Sequence, residues 1–444
     1  SDVNAAQASA KASASAAAQS EENSAKNATA AANAKSVAES KASSASDSAT
    51  AAAKSEANAK AAASAAQSVG AVYYGVDFTG STSAGTRTGG AKNFVFRPGT
   101  DSDAGENSFD GVYPWKGMKR CCCSIGSDGE ITVNAYKGQP EYTEDGSNGE
   151  IFVEIPRFYV AGAWDTDPKV SATPLPGFRV PKKFQKLDGT LRTKNYIRAF
   201  SGSIGSDNKL HSLPNVVPTG NKTISQFTAA ARLWASNVSI GTSEDAEVLI
   251  YLMIVVYGTR NFQEKIRGVS NLYSTNIAIT GGRTNEAAVT VAKNILEPGM
   301  IISIGTGSEN ESVAYRRIIT SVDAIDGDTA NVKVAFSGEP VTTNTSQKVW
   351  LIMQSTGTTE NVKSTCGSPV SNTDGRHSFV FYGIENPLYG NQWRFEGDWK
   401  LVDGVAYYCE DPSKYNWSTV DDYIKLSDIA FPGEGWVTAL QSDE

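Results

Sequence analysis

The chain has 444 residues, 40% of them hydrophobic and 20% charged, with 40 Gly, 16 Pro and a net charge of −8. That length allows two to four domains of roughly 100–200 residues, and the acidity argues against a phosphate-backbone partner, so no nucleic acid is expected. The longest apolar run, Val248 to Tyr257, is ten residues, far below the roughly 20 that cross a bilayer, so no membrane span is expected.

Residues 1–70 stand apart: they hold 29 Ala, no aromatic, no Pro and a single Gly at the far end, with six Lys against four Glu and two Asp. All 41 aromatics lie from Tyr73 onward. The chain opens at Ser1 inside this repetitive pattern without a Met, a basic n-region or an apolar h-region. No signal peptide is read, and the polypeptide is expected to extend further upstream. A strict 3-4 spacing laid from position 10 to position 66 finds Ala at thirteen of seventeen places. These include Ala38, Ala42, Ala45, Ala49, Ala52, Ala59, Ala63 and Ala66, and the exceptions are Glu21, Ser24, Lys35 and Glu56. Only about seven matches would arise by chance.

Ala favours helix and Pro is absent, yet an Ala seam buries too little apolar area for a lone helix to gain by folding. Partner chains are therefore expected, in a thin coiled coil with these Ala residues at its seam and a length of roughly 90–100 Å at 1.5 Å per residue. A disordered low-complexity linker is the alternative reading. Either way the segment is a spacer, which Gly70 ends just before Tyr73 and Tyr74.

From Ala71 the pattern changes to short strands separated by Gly, Asp, Asn and Ser: Ala71–Phe78, Asn93–Arg97, Lys119–Ser124, Ile131–Tyr136 and Ile151–Val160. Pro156 inside the last of these removes a backbone donor and is expected to place that strand at an edge or a bulge. Thr223 or Ser225 can cap a helix that carries Phe227, Ala231 and Trp234 on one stripe and ends near Asn237. Thr242 or Ser243 caps a second, with Glu244, Asp245 and Glu247 at its positive end and a stop at Gly258. Apolar on all sides, this second helix is predicted to be the central core element.

Residues 283–354 read as a small β-module, with strands at Ala288–Val291, Met300–Ile304, Tyr315–Val322, Asn331–Phe336 and Lys348–Met353 and a turn at Asp326-Gly327-Asp328. It is most simply an insertion between 71–282 and 355–444. The last 80 residues interleave aromatics with Gly, Asn and Asp, which predicts long loops packed by aromatic anchors and little regular structure.

Cys121, Cys122 and Cys123 alternate faces if they lie in a strand and cannot readily bridge one another. Without a CxxC and with only His211 and His377, zinc, haem and iron–sulfur spacings are missing, and neither metal nor cofactor is expected.

Three separated motifs resemble a known family. The stretch Ser147 to Tyr159, the helix end Tyr257-Gly258-Thr259-Arg260-Asn261-Phe262-Gln263, and Tyr382-Gly383-Ile384-Glu385-Asn386-Pro387-Leu388-Tyr389-Gly390-Asn391-Gln392-Trp393 look like tail-fibre and receptor-binding proteins of phages and prophages of gut bacteria. The last segment is similar to the core signature of the formylglycine-generating-enzyme-like branch of the C-type lectin fold. The resemblance covers residues 71–440 apart from the module. It implies an α+β chain: a trimeric stalk, a loop-rich C-type-lectin-like head and an inserted all-β module. It further implies a homotrimer in the virion tail fibre, joined to other tail proteins through its N-terminal end, whose head recognises a bacterial cell-surface glycan or protein. Enzymes of this fold use a metal-binding cysteine pair near the C-terminus; Cys366 and Cys409 are too far apart to repeat it, so that catalysis is not expected.

Aromatic faces stack on sugar C–H surfaces while carboxylates and amides bond hydroxyls. On composition, the candidate receptor contacts are Tyr407, Tyr408, Tyr415 and Trp417 near Glu410, Asp411, Asp421 and Asp422. Trp393, at the end of the signature segment, and Trp399, just after it, are implied to be core. Glu396 with Asp398, or Asp421 with Asp422, could form the carboxylate pair of a glycosidase, which makes a tailspike depolymerase the alternative function. A long β-helix repeat is not visible, which counts against it. A bacterial surface adhesin is a third reading, without an anchor to support it.

Overall fold

The computed structural model describes residues 2–68, 72–80, 83–269, 276–290, 295–307, 312–370, 372, 374–390 and 394–427. The chain divides into two compact units, 1–71 and 72–444.

The first unit is one helix, α1 (Asp2–Ser68), 67 residues long, or about 100 Å at 1.5 Å per residue. Every side chain described on it is exposed, including Ala38 and Ala42. The helix backbone runs through Ala45, Ala49, Ala52, Ala59, Ala63 and Ala66, whose side chains lie outside the described residues. Its own surface ion pairs, Lys26 with Glu22 at 2.6 Å and Lys35 with Glu39 at 3.8 Å, are exposed i,i+4 contacts that contribute only a few tenths of a kcal/mol each.

The second unit is built around a buried helix, α3 (Ser243–Tyr257). Val248, Leu249 and every residue from Tyr251 to Tyr257 are buried, so the helix has no solvent face over its last two turns. Both ends are held by side chains. Thr242 and Asp245 form a reciprocal capping box, and the carboxylate of Asp398 accepts the Ser243 N–H with both oxygens at 2.9 Å. At the far end Gly258 takes the left-handed φ of 67°, and Arg87 donates to the carbonyls of Val255 and Val256. A cation at the C-terminus and an anion at the N-terminus both oppose the helix dipole. Trp115 Nε1 also donates to the Leu252 carbonyl at 3.2 Å.

A shorter helix, α2 (Ile224–Arg232), begins with Thr223 in a capping box with Gln226. It stops five residues before the expected Asn237, and Trp234 falls beyond it, where its ring Nε1 donates to the Leu210 carbonyl at 2.9 Å.

Two four-stranded antiparallel sheets flank the buried helix. One runs in the order Thr86–Gly89, Tyr74–Asp77, Lys169–Ser171, Tyr159–Ala161; the other in the order Lys194–Arg198, Glu150–Pro156, Lys119–Ile125, Ile131–Tyr136. Pro156 does not put its strand at an edge. Glu150–Pro156 is paired on both sides, and Pro156 is its last residue, past the point where the ladder to Lys119–Ile125 ends at Glu154. On that side its missing N–H is not needed. In Lys119–Ile125, Cys122 joins the main core while Cys121 and Cys123 join a cluster on the opposite face; all five cysteines are free and buried.

Residues 276–354 form a closed six-stranded antiparallel barrel, in the order Asn276–Arg283, Glu286–Thr290, Asp328–Phe336, Ser312–Ile325, Met300–Gly305, Lys348–Gln354. It starts seven residues before the expected 283. The first strand alternates only briefly, at Ile277 and Ile279, before Gly281 and Gly282, and Gly282 lies so close to a neighbouring loop that a Cβ there would sit 1.9 Å from the Thr343 carbonyl oxygen. Ile279, Val289, Ile302, Ile304, Val334 and Leu351 fill an interior separate from the main core. Asp326 and Gly327, both at positive φ, make the two-residue hairpin turn read from the sequence.

The C-terminal part contains more regular structure than expected, in two three-stranded sheets: Cys366–Gly367, Val380–Phe381, Ile384–Glu385 and Trp399–Val402, Val405–Tyr408, Ile424–Ser427. Among the described residues no helix is long and apolar enough to cross a membrane.

Truncating the helix at its centre, Leu252→Ala, should lower the stability of the second unit by about 2–5 kcal/mol in chemical denaturation. The exposed Leu401→Ala should stay within about 0.5 kcal/mol of the parent.

Candidate functional site

The aromatic residues proposed from composition do not gather in one recess. Tyr415 is buried, with Cys409 and Tyr423, in a small core of the C-terminal sheet, and its ring packs over Gly397. Burial therefore removes it as a surface contact. Tyr408 is half-buried and donates its hydroxyl to Glu244 Oε1 at 2.5 Å, which ties the sheet to the start of α3. Tyr407 and Trp417 are half-buried, and Asp421 and Asp422 are exposed. The carboxylate pair Glu396 and Asp398 is also spoken for: Glu396 accepts from Trp399 Nε1 at 2.6 Å, and Asp398 caps α3.

A recess lies elsewhere, a cleft of about 530 Å³ along the free edge of Lys194–Arg198. That volume falls within the range of small-ligand sites, about 300–1,000 Å³. Its walls come from the 182–192 segment, the first turn of α3, residues 237–241, and the loop after Ile384–Glu385. Phe227 and Phe395, with ring centroids 6.0 Å apart, form an apolar patch on its lining.

Charge dominates the polar lining. Lys182 pairs with Glu410 at 2.6 Å, Lys183 with Asp245 at 3.1 Å and Lys194 with Glu154 at 2.7 Å. Arg192 and Lys186 share one carboxylate, Glu130, at 2.9 and 3.7 Å. Arg198 stands over the Phe152 ring and faces the buried Glu150 at 3.5 Å. That carboxylate also accepts from the Ser212 N–H at 2.6 Å and from His211 Nδ1 at 2.7 Å.

Two acids of the lining are pushed toward their neutral form. Burial raises the Glu244 carboxyl, against the opposing bond from Tyr408. Burial raises Glu385 to about 7, even though the Gly357 N–H donates to it at 2.6 Å.

Both histidines are clamped between two carboxylates. His211 lies between Glu150 and Asp207, at 2.7 and 2.9 Å. His377 lies between Asp374 and the barrel residue Glu297, at 2.7 and 2.6 Å. With both ring nitrogens facing carboxylate oxygens, the protonated form of each imidazole is favoured. Burial opposes the charge on His377, but its carboxylate partners prevail and raise it to about 9. Among the described residues no group of three or more His, Cys, Asp or Glu could hold a metal ion.

The cleft residues were missed because no single one of them makes a motif. The signal was local charge: residues 182–198 carry six Lys or Arg against Asp188 alone, in a chain of net charge −8. Compared with protein-family models, curated proteins and solved structures, the chain finds no match.

The clamp on His377 makes stability depend on pH. Its folded value lies above the ordinary imidazole value near 6.5, so its contribution is fully present below pH 6.5 and is lost as pH rises to about 9. The melting temperature should fall across that window, and His377→Gln, which leaves Arg376 beside Glu297 and Asp374, should flatten the fall.

Proposed function

We propose that the chain is a fibre-type adhesin of a phage tail. In this reading α1 is one strand of a homotrimeric coiled-coil stalk, and the 72–444 unit is a receptor-binding head with a C-type-lectin-like core and an inserted barrel. The head attaches the virion to a bacterial surface glycan or protein, and its task is binding rather than chemistry. One observation carries this: a 67-residue helix with every described side chain exposed. Such a helix buries nothing within its own chain, and isolated helices owe their stability in proteins to packing of one face. A seam with Ala at thirteen of seventeen positions supplies the close-packing face that two further copies would cover.

A trimer converts one weak site into three tethered ones, and effective concentration then multiplies avidity by about 10²–10⁴ without any new contact. That suits attachment to a surface bearing many copies of one receptor.

Light scattering on the full chain should give a mass near three times 47.0 kDa. Ala38→Asp combined with Ala42→Asp, which puts charge into the seam, should shift the mass toward the single chain and weaken cell binding at least 100-fold. Monovalent recognition should be left intact. A single-chain mass for the parent protein would overturn the reading.

A further inference from the structure

Six cations within seventeen residues of an acidic chain would need no explanation if they fanned into water. From 182 to 198 they instead line one cleft together. We propose that this cleft binds an anionic oligosaccharide, a stretch of polymer bearing carboxylate or phosphodiester groups, laid along the free edge of Lys194–Arg198. The inference rests on the adhesin reading for the source of the polymer, a bacterial surface; the binding chemistry rests on the cleft.

Lys182, Lys183 and Lys194 each have a carboxylate of their own, but three of the six cations share theirs. Arg192 and Lys186 have Glu130 between them. Arg198 shares Glu150 with His211, whose other ring nitrogen faces Asp207. A ligand anion arriving here meets positive charge that the fold has already gathered and partly desolvated, where electrostatic attraction is less screened than at an open surface.

Unmet donors point to the same place. Asn195 is only 8% exposed, and its side-chain Nδ2 has no hydrogen-bond partner among the described residues. Arg198 Nη1 is likewise buried without a hydrogen bond, its nearest carboxylate oxygen being 3.5 Å away. Buried polar groups are almost always satisfied, and both of these are donors, so the missing groups are acceptors.

The spacing of the donors decides between a single ion and a chain. Asn195 and Arg198 are three residues apart on a strand, about 10 Å at 3.3 Å per residue, and on opposite faces of it. One phosphate or carboxylate cannot reach both; successive groups of a polymer can. The Phe227–Phe395 patch supplies the remaining element, an apolar surface on which a pyranose ring can stack.

The test is calorimetric titration of the full chain with three probes at low and high salt: an oligogalacturonate, a glycerol-phosphate oligomer and a neutral dextran oligomer. At least one acidic probe should bind while dextran does not, and its affinity should fall at least tenfold between 50 and 300 mM salt. The better acidic probe tells carboxylate from phosphodiester. Arg198→Gln should weaken that binding at least tenfold, and Lys186→Gln about threefold. Lys186 is 41% exposed in its side chain, so its variant keeps the test open if loss of Arg198 beside Glu150 disturbs folding, as judged by near-ultraviolet circular dichroism.

Failure of both acidic probes to bind, or binding indifferent to Lys186→Gln, overturns the inference. If the chain still holds to bacterial cells in that case, the adhesin reading survives. Binding of an acidic probe in the cleft by a chain that attaches to no cell would keep the inference and remove that reading instead.

Discussion

A helix without a polar face can exist only inside a protein, and the second unit is arranged around satisfying that demand. Ser243–Tyr257 buries its apolar residues on every side, but its terminal peptide groups cannot be left dry and unpaired. Asp398 and the Thr242–Asp245 box meet the N–H groups at one end, and Arg87 meets the carbonyls at the other. These partners come from remote parts of the sequence, Arg87 from the first sheet and Asp398 from the C-terminal region. Capping the helix therefore draws the two ends of the unit onto its core. Arg87 accepts burial to do so, which lowers it to about 10 and still leaves it charged at neutral pH.

The same economy of charge shapes the cleft. A buried carboxylate needs donors from several directions, and Glu150 takes them from Ser212, His211 and Arg198. One carboxylate serves several donors there, and another serves both Arg192 and Lys186, so these cations share their counter-charges. The site follows from an edge strand with cations on both of its flanks, lying where the sheet has no further strand to add.

His377 plays a related structural part for the barrel. Its ring joins Asp374 to Glu297 of the barrel, a charged contact beside the apolar packing of Ile301, Ile352 and Met353 against Val217. The barrel has an interior of its own, and these contacts, with the bond from Gln354 Nε2 to the Arg376 carbonyl, help orient it on the unit.

By itself the sequence determined what periodicity and local chemistry control. Helix α1 follows from Ala content and the absence of Pro, the starts of α2 and α3 from Thr or Ser at 223–225 and 242–243, between which the structure chose Thr223 and Thr242, and the hairpin at Asp326-Gly327 from residues that tolerate positive φ. Burial of α3 followed from its ten-residue apolar run. Tertiary structure alone decided what depends on partners distant in the chain. Pro156 proved compatible with a central strand because the neighbouring ladder ends before it, which no local rule contains. Asn276–Arg283 extends as a strand through Gly281 and Gly282 because the barrel closes on it, beyond the short alternation at Ile277 and Ile279. Tyr415 became core and Asp398 a cap because of what folded against them, and the charge-rich segment 182–198 became the wall of a cleft only when the edge strand turned it inward. A local pattern sets the shape of a segment; which of its side chains stay free to meet another molecule is set by long-range packing, and a one-dimensional sequence shows that only as an unexplained excess of charge.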